Sequence, residues 1–186
     1  RFAFMNRAVF LDRDGTLIKD AHYLKDPEQI EIIEGVGCSL DAIKKSGFGI
    51  FMHTNQSGIT RGYYGWEDVR ACNQRMLQML NLPEDFFDQV CIAPEDRFVP
   101  GGLRKPSPKF ELEMISRYDL MPRRCWMVGD KWIDAETGLN AGMRAALVQT
   151  GKPLDDDLLD RAASLSVEVF TGLEQFVGHL LETIDE

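Results

Sequence analysis

Short apolar runs alternate with amphipathic stretches along this chain, and the alternation predicts a series of βα units. Residues 8–11, Ala-Val-Phe-Leu, are apolar without a break, as a strand buried on both faces requires. Residues 36–46 carry helical spacing and are closed by Gly47, and residues 48–52 form a second apolar strand. Helical spacing returns over residues 66–80, where Glu67 and Asp68 suit a helix N-terminus. Residues 87–93 read as a third strand, and 106–118 as a helix begun on prolines. A fourth strand (125–128), a helix ended by Gly142 (133–141) and a fifth strand (145–148) follow. Residues 155–163 and 173–183 read as helices around a short strand at 167–170. Such a repeat predicts an α/β fold of three layers, with a mainly parallel sheet between helices.

Residues 19–34 and 94–102 fall outside this rhythm: the first is mixed and polar, the second rich in Pro and Gly. Long irregular connections in a compact domain tend to be functional, so both are expected to wall a pocket. The chain has 186 residues, which suits one domain spanning residues 1–186. It begins at Arg1 with Met5 internal, so further residues are expected upstream.

Bulk composition narrows the partners. Twenty-one Lys and Arg against thirty Asp and Glu leave a net charge of −9, which argues against nucleic acid as the partner. A small phosphorylated ligand needs only two or three placed cations and stays compatible. The four cysteines are scattered without a Cys-x-x-Cys pair, as expected of reduced thiols in the cytoplasm. No apolar run approaches membrane-spanning length.

Ligands of open α/β sheets bind at the carboxyl ends of strands, so the polar residues there carry the candidate chemistry. The first apolar run is followed by Asp12-Arg13-Asp14-Gly15-Thr16-Leu17. Two carboxylates one residue apart can hold a divalent cation and keep a spare nucleophile, or can simply be an acidic turn. Gly15 lets the chain turn away, and Thr16 is expected to bond the loop backbone. The second strand leads into His53-Thr54-Asn55-Gln56-Ser57-Gly58, a source of donors for an anion or an ordinary polar turn, with Arg61 close behind. Arg104-Lys105-Pro106 precedes a helix, where Lys105 reads as a phosphate clamp or as part of a basic loop. After the fourth strand, Asp130 reads as a metal ligand or a helix N-cap, and Asp134 as a support for that site or for Lys131. Oxygen ligands of this kind suit Mg²⁺, whereas zinc prefers Cys or His. No P-loop sequence is present.

In this order, Asp-x-Asp-Gly-Thr, Thr, Lys and Gly-Asp, the motifs resemble those of the haloacid dehalogenase (HAD) superfamily of phosphatases. The segments Phe-Leu-Asp-Arg-Asp-Gly-Thr-Leu (10–17), Thr-Asn-Gln-Ser-Gly-Ile-Thr-Arg-Gly (54–62), Arg-Lys-Pro-Ser-Pro (104–108), Met-Val-Gly-Asp-Lys (127–131) and Gln-Thr-Gly-Lys (149–152) are similar to the D,D-heptose 1,7-bisphosphate phosphatase family, beside the histidinol-phosphate phosphatases. Tyr23 and Glu34-Gly35-Val36 add to the likeness, which covers about residues 8–152. The resemblance implies a HAD-like Rossmannoid fold and a Mg²⁺-dependent phosphomonoesterase working through an aspartyl-phosphate. It implies Asp12 as nucleophile, Asp14 as acid and base, and Mg²⁺ between Asp12, the Asp14 carbonyl and Asp130. It further implies that Thr54 and Lys105 hold the phosphoryl group with Asn55 nearby, and that Arg104, Lys131 and Arg61 contact substrate. The expected partner is a small phosphorylated metabolite, most naturally a sugar phosphate, met by a monomer or small homo-oligomer.

Three positions depart from that family. Ile18 replaces a common Asn, His53 replaces an apolar residue, and the zinc loop that often precedes Arg-Lys-Pro is missing, so no zinc is expected and Cys91 reads as a core thiol. The intervals between Asp14, Thr54 and Lys105 leave no room for a separate cap domain. Histidinol phosphate is the rival substrate, and a non-catalytic HAD-like scaffold is the rival outside enzymes.

Overall fold

A computed structural model describes residues 6–97 and 99–183; the start of the chain therefore lies outside the described residues. In chain order the elements are β1 (Ala8–Leu11), α1 (Val36–Lys45), β2 (Gly49–Asn55), α2 (Trp66–Met79), β3 (Gln89–Ala93) and α3 (Lys109–Tyr118). They continue with β4 (Trp126–Gly129), α4 (Trp132–Asn140), β5 (Arg144–Val148), α5 (Asp156–Ser164), β6 (Glu168–Phe170) and α6 (Leu173–Glu182).

The strands form one parallel sheet in the order β3-β2-β1-β4-β5-β6. The unbroken apolar sequence of β1 fits its place between β2 and β4, where all four of its residues are buried. Side chains alternate across it. Val9 and Leu11 join a core with α1, α2 and α6, while Ala8 and Phe10 face Phe110 and Met114 of α3. A smaller core joins Ala135 of α4, Ala145 and Leu147 of β5, and Ala162 of α5. The strand order reverses at β1 and β4, and the crevice outside a reversal is where α/β sheets bind ligands. Among the described residues no segment builds a separate cap.

The structure differs from the sequence pattern in three informative places. β2 runs beyond its apolar stretch because His53, Thr54 and Asn55 still pair with Cys91, Ile92 and Ala93. α3 begins at Lys109, since Arg104 to Ser107 form a turn closed by Ser107 N–H donating to the Arg104 carbonyl at 3.0 Å. The segment 19–34 has more order than its polarity suggests. It buries Leu24, Ile30 and Ile33, forms a 3-10 turn at Pro27–Gln29, and bridges Ile18 to Ile32.

Candidate active site

Four loops converge at the carboxyl edge of the sheet. Asp12 leaves β1 with its N–H bonded to the Val128 carbonyl of β4 at 2.9 Å, which fixes the two strand ends together. Asp130 follows β4, and Asp134 sits in the first turn of α4, where its Oδ2 accepts the Lys131 N–H at 3.0 Å. Carboxylate oxygens of Asp12, Asp130 and Asp134 lie within 4.8 Å of one another, and all three residues are buried.

Lys105 enters this cluster from the loop before α3. Its Nζ donates to Asp12 Oδ1 at 2.7 Å and to Asp134 Oδ1 at 2.6 Å. Asn55, at the end of β2, clamps the Lys105 backbone: its Oδ1 accepts the Lys105 N–H at 3.0 Å, and its Nδ2 donates to the Lys105 carbonyl at 3.4 Å. Asp134 thus holds two partners, Lys105 through one carboxylate oxygen and the Lys131 backbone through the other.

Asp14 lies on the same loop and is gripped from the opposite side. Its carboxylate accepts from Arg13 Nε at 3.2 Å, Arg13 Nη2 at 3.1 Å, Gln56 Nε2 at 3.0 Å and Thr54 Oγ1 at 3.3 Å. Gln56 also donates to Thr54 and accepts from the Tyr64 hydroxyl at 2.7 Å, while Arg13 reaches Asn73 of α2 at 2.9 Å. Arg13 and Gln56 lie inside recognisable motifs, yet their sequence positions alone do not mark them as partners of Asp14. Thr16 corrects an expectation: its buried Oγ1 has no hydrogen-bond partner, and its loop is held by backbone bonds to the Arg13 carbonyl instead.

The outlying candidates are less converged. Lys131 Nζ bridges Asp130 at 3.4 Å and Asp20 at 3.3 Å, so it borders the acidic cluster. Arg61 bonds the Tyr23 hydroxyl, and Arg104 donates to the Glu95 carbonyl at 3.0 Å. A cavity of about 120 Å³ lies between Arg13, Asp14, Asp20, Tyr23, Gln56 and Lys131. A larger hollow of about 830 Å³ lies along the edge strand β3, between α2 and α3, and holds none of the clustered carboxylates.

The electrostatics follow from burial against pairing. Burial raises Asp12 above the ordinary carboxylate range, although Lys105 pulls it the other way. Burial and the neighbouring Asp12 push Asp130 up to about 6. For Lys105, burial would favour the neutral amine, but Asp12 and Asp134 outweigh it and hold the ammonium charged. Lys131 is raised for the same reason, by Asp12 and Asp130 against burial.

This donor set fits a hard divalent cation. It offers carboxylate oxygens only, and Asp130 Oδ1 is buried without a hydrogen bond, with only the long ion pair to Lys131 at 3.4 Å. Two glycines press on the same carboxylate: a Cβ at Gly15 would sit 2.4 Å from Asp130 Oδ2, and one at Gly151 would sit 1.9 Å away. Gly15 also has a φ of +88°, so its turn is doubly restricted. Gly151 and Thr150, whose hydroxyl bonds the Gly15 carbonyl at 2.7 Å, brace the cluster from the loop after β5. Both residues lie in the Gln-Thr-Gly-Lys segment that carries the family resemblance, but nothing in its sequence says that it touches Asp130.

Comparison with known proteins bears on the family of the chain. A family model described as HAD-hydrolase-like matches residues 102–175. Two curated relatives are the D-glycero-beta-D-manno-heptose-1,7-bisphosphate 7-phosphatases of Mesorhizobium japonicum and Haemophilus influenzae. The first is 35% identical over 152 residues, covering 78% of this chain and 70% of its own length. The second is 34% identical over 157 residues, covering 81% and 85%. Among solved structures, a HAD-like phosphatase from Mesorhizobium loti is 30% identical with a TM-score of 0.75, over 99% of this chain and 88% of that one. The D,D-heptose 1,7-bisphosphate phosphatase of B. bronchiseptica, solved with magnesium and phosphate, shares the fold at a TM-score of 0.81 and 24% identity, over 95% and 98%.

Proposed function

The chain belongs to the D-glycero-D-manno-heptose 1,7-bisphosphate phosphatase family of HAD-like hydrolases, and we propose that it removes the 7-phosphate of that sugar bisphosphate with Mg²⁺. The observation that carries this reading is the buried cluster in which Lys105 spans Asp12 and Asp134 beside Asp130. Asp12 and Asp130, with the Asp14 carbonyl, would hold Mg²⁺, which supplies positive charge for the phosphoryl oxygens.

In the reaction we propose, a carboxylate oxygen of Asp12 attacks phosphorus, and the bond from phosphorus to the sugar oxygen breaks. Asp14 gives its proton to the departing sugar oxygen. It then takes a proton from the water that attacks the aspartyl-phosphate, so phosphate leaves and Asp12 is regenerated. Thr54 and Lys105 hold the phosphoryl oxygens, and Asp134 keeps Lys105 aimed at them. Phosphoryl transfer depends mainly on positioning and charge neutralisation, which a lysine fixed by two buried carboxylates supports. Arg13 and Gln56 orient Asp14, while Asn55, Arg61, Arg104 and Lys131 surround the sugar phosphate. The chain acts as a single domain, in the cytoplasm, as a monomer or small homo-oligomer. The free thiols suit a reducing compartment, and no helix among the described residues is long and apolar enough to cross a membrane.

The test is turnover of heptose 1,7-bisphosphate, histidinol phosphate and other small phosphoesters, with Mg²⁺ and with EDTA. Selective, EDTA-sensitive hydrolysis of the heptose ester is expected. Preference for histidinol phosphate would overturn the substrate, and absence of any turnover would overturn the chemistry.

A further inference from the structure

Lys105 reaches the carboxylate cluster from an irregular loop, so something must hold that loop at a defined height above the sheet. His53 and Asn55 stand two apart on β2 and therefore face the same side. Asn55 clamps the backbone of Lys105, and His53 Nε2 donates to the carbonyl of Leu103 at 2.9 Å, two residues earlier. The pair of side chains thus grips the loop at two matched points, 103 and 105.

The His53 ring is itself fixed from behind. Its Nδ1 lies 2.6 Å from Glu111 Oε1 on α3, both residues have no solvent exposure, and Phe110 packs its ring near the imidazole at a centroid distance of 5.3 Å. A carbonyl can only accept, so Leu103 requires a proton on Nε2. One further proton is then shared between Nδ1 and Oε1, which leaves the pair without net charge whichever atom carries it. Loss of either partner would strand a buried polar or charged group. Glu95 completes the frame: its Oε1 accepts the Leu103 N–H at 2.8 Å, and its carbonyl accepts from Arg104.

We propose that His53 and Glu111 are positioning residues that set the reach of Lys105 through the Leu103 carbonyl. They touch neither the clustered carboxylates nor the site cavity, and act only by fixing the loop that delivers the lysine. The proposal rests on the phosphatase reading for its catalytic consequence, but the anchoring of the loop does not depend on it.

The decisive comparison uses substitutions in the intact chain. The double variant His53→Leu/Glu111→Met removes the pair together and keeps the interior apolar, a change that buried ion pairs tolerate well. His53→Gln keeps a donor that can reach Leu103, and Glu111→Gln keeps a partner for Nδ1. For the double variant the expected result is a melting temperature close to wild type, faster amide exchange over residues 99–108, and a kcat lower by about 10- to 100-fold with KM changed less than kcat. His53→Gln is expected to recover most of that loss in kcat and exchange protection. Should the double variant misfold, Glu111→Gln and His53→Gln against His53→Leu carry the same comparison. Wild-type kcat and exchange in folded variants lacking the Nε2 donor would overturn the proposal. The exchange measurement needs no substrate, so it decides the anchoring even if the wild type hydrolyses nothing, which would overturn the phosphatase reading instead.

Discussion

Replacing Asp130 by asparagine tests the electrostatics of the cluster without any substrate. Asp130 is 1% exposed, and its carboxyl is raised from an ordinary 3.8 to about 6 by burial and by Asp12, with Lys131 at 3.4 Å opposing them incompletely. Below pH about 4 the carboxyl is protonated in both folded and unfolded chains and contributes nothing. As pH rises from there to about 6, the unfolded chain ionises first and the folded protein loses stability. Above about 6 a full penalty remains, about 3 kcal/mol at ~1.4 kcal/mol per pH unit. The amide introduced by Asp130→Asn never ionises, and its oxygen can still accept the Lys152 N–H that Asp130 Oδ2 accepts at 3.4 Å. In EDTA, Asp130→Asn should therefore be more stable than wild type by about 3 kcal/mol near pH 7.5, and by about half as much at pH 5. For a chain of this size the larger figure corresponds to a melting temperature raised by about 6–12 °C. Addition of Mg²⁺ should stabilise the wild type and leave the variant nearly unmoved. Differential scanning calorimetry across pH, with and without Mg²⁺, measures both effects. A variant no more stable than wild type, or a difference that does not grow with pH, would mean that Asp130 carries no such burial penalty.

Gly151→Ala would place a Cβ 1.9 Å from Asp130 Oδ2 and 2.5 Å from its Cγ; a loss of about 1–3 kcal/mol and a drop in kcat/KM are expected by thermal melts and steady-state kinetics, and unchanged kinetics would count against the brace. Gly178→Ala, in the middle of α6 with open space around the new methyl, should instead raise the urea midpoint, by a gain of about 0.5–1 kcal/mol. Lys105→Met leaves the buried Asp12 and Asp134 without their shared cation; destabilisation of about 3–5 kcal/mol is expected in EDTA, read from denaturant unfolding, and a change below about 1 kcal/mol would contradict the ion-pair geometry.

The sheet was legible because its central strands have to be apolar on both faces, and Ala8–Leu11 could hardly be anything else. Its acids were legible for a related reason: a buried strand must end before charged residues, so Asp12 and Asp130 mark strand ends as well as candidate chemistry. Contacts between loops were not legible. Gly151 meets Asp130 only because β4 and β5 lie side by side, and no periodicity records that pairing. Arg13 and Gln56 stood within visible motifs, yet which neighbour each would grip depends on side-chain direction. α3 is the clearest failure of pattern. Glu111 is fully buried and Leu112 half exposed, the reverse of their polarity, because His53 supplies the glutamate with a partner that only the fold brings near. His53 itself was visible as a departure from the resembled family, and the loop it holds gives that departure a physical role.

Trapping the covalent intermediate shows whether Asp12 is the phosphoryl acceptor. The enzyme is quenched in acid during turnover of heptose 1,7-bisphosphate with Mg²⁺, reduced with borohydride, and digested for peptide mass spectrometry. An acyl phosphate is reduced to an alcohol, so homoserine at position 12 is expected, and it should be absent from Asp12→Asn. Measurable turnover with no modification at Asp12, or turnover that persists in Asp12→Asn, would contradict the claim.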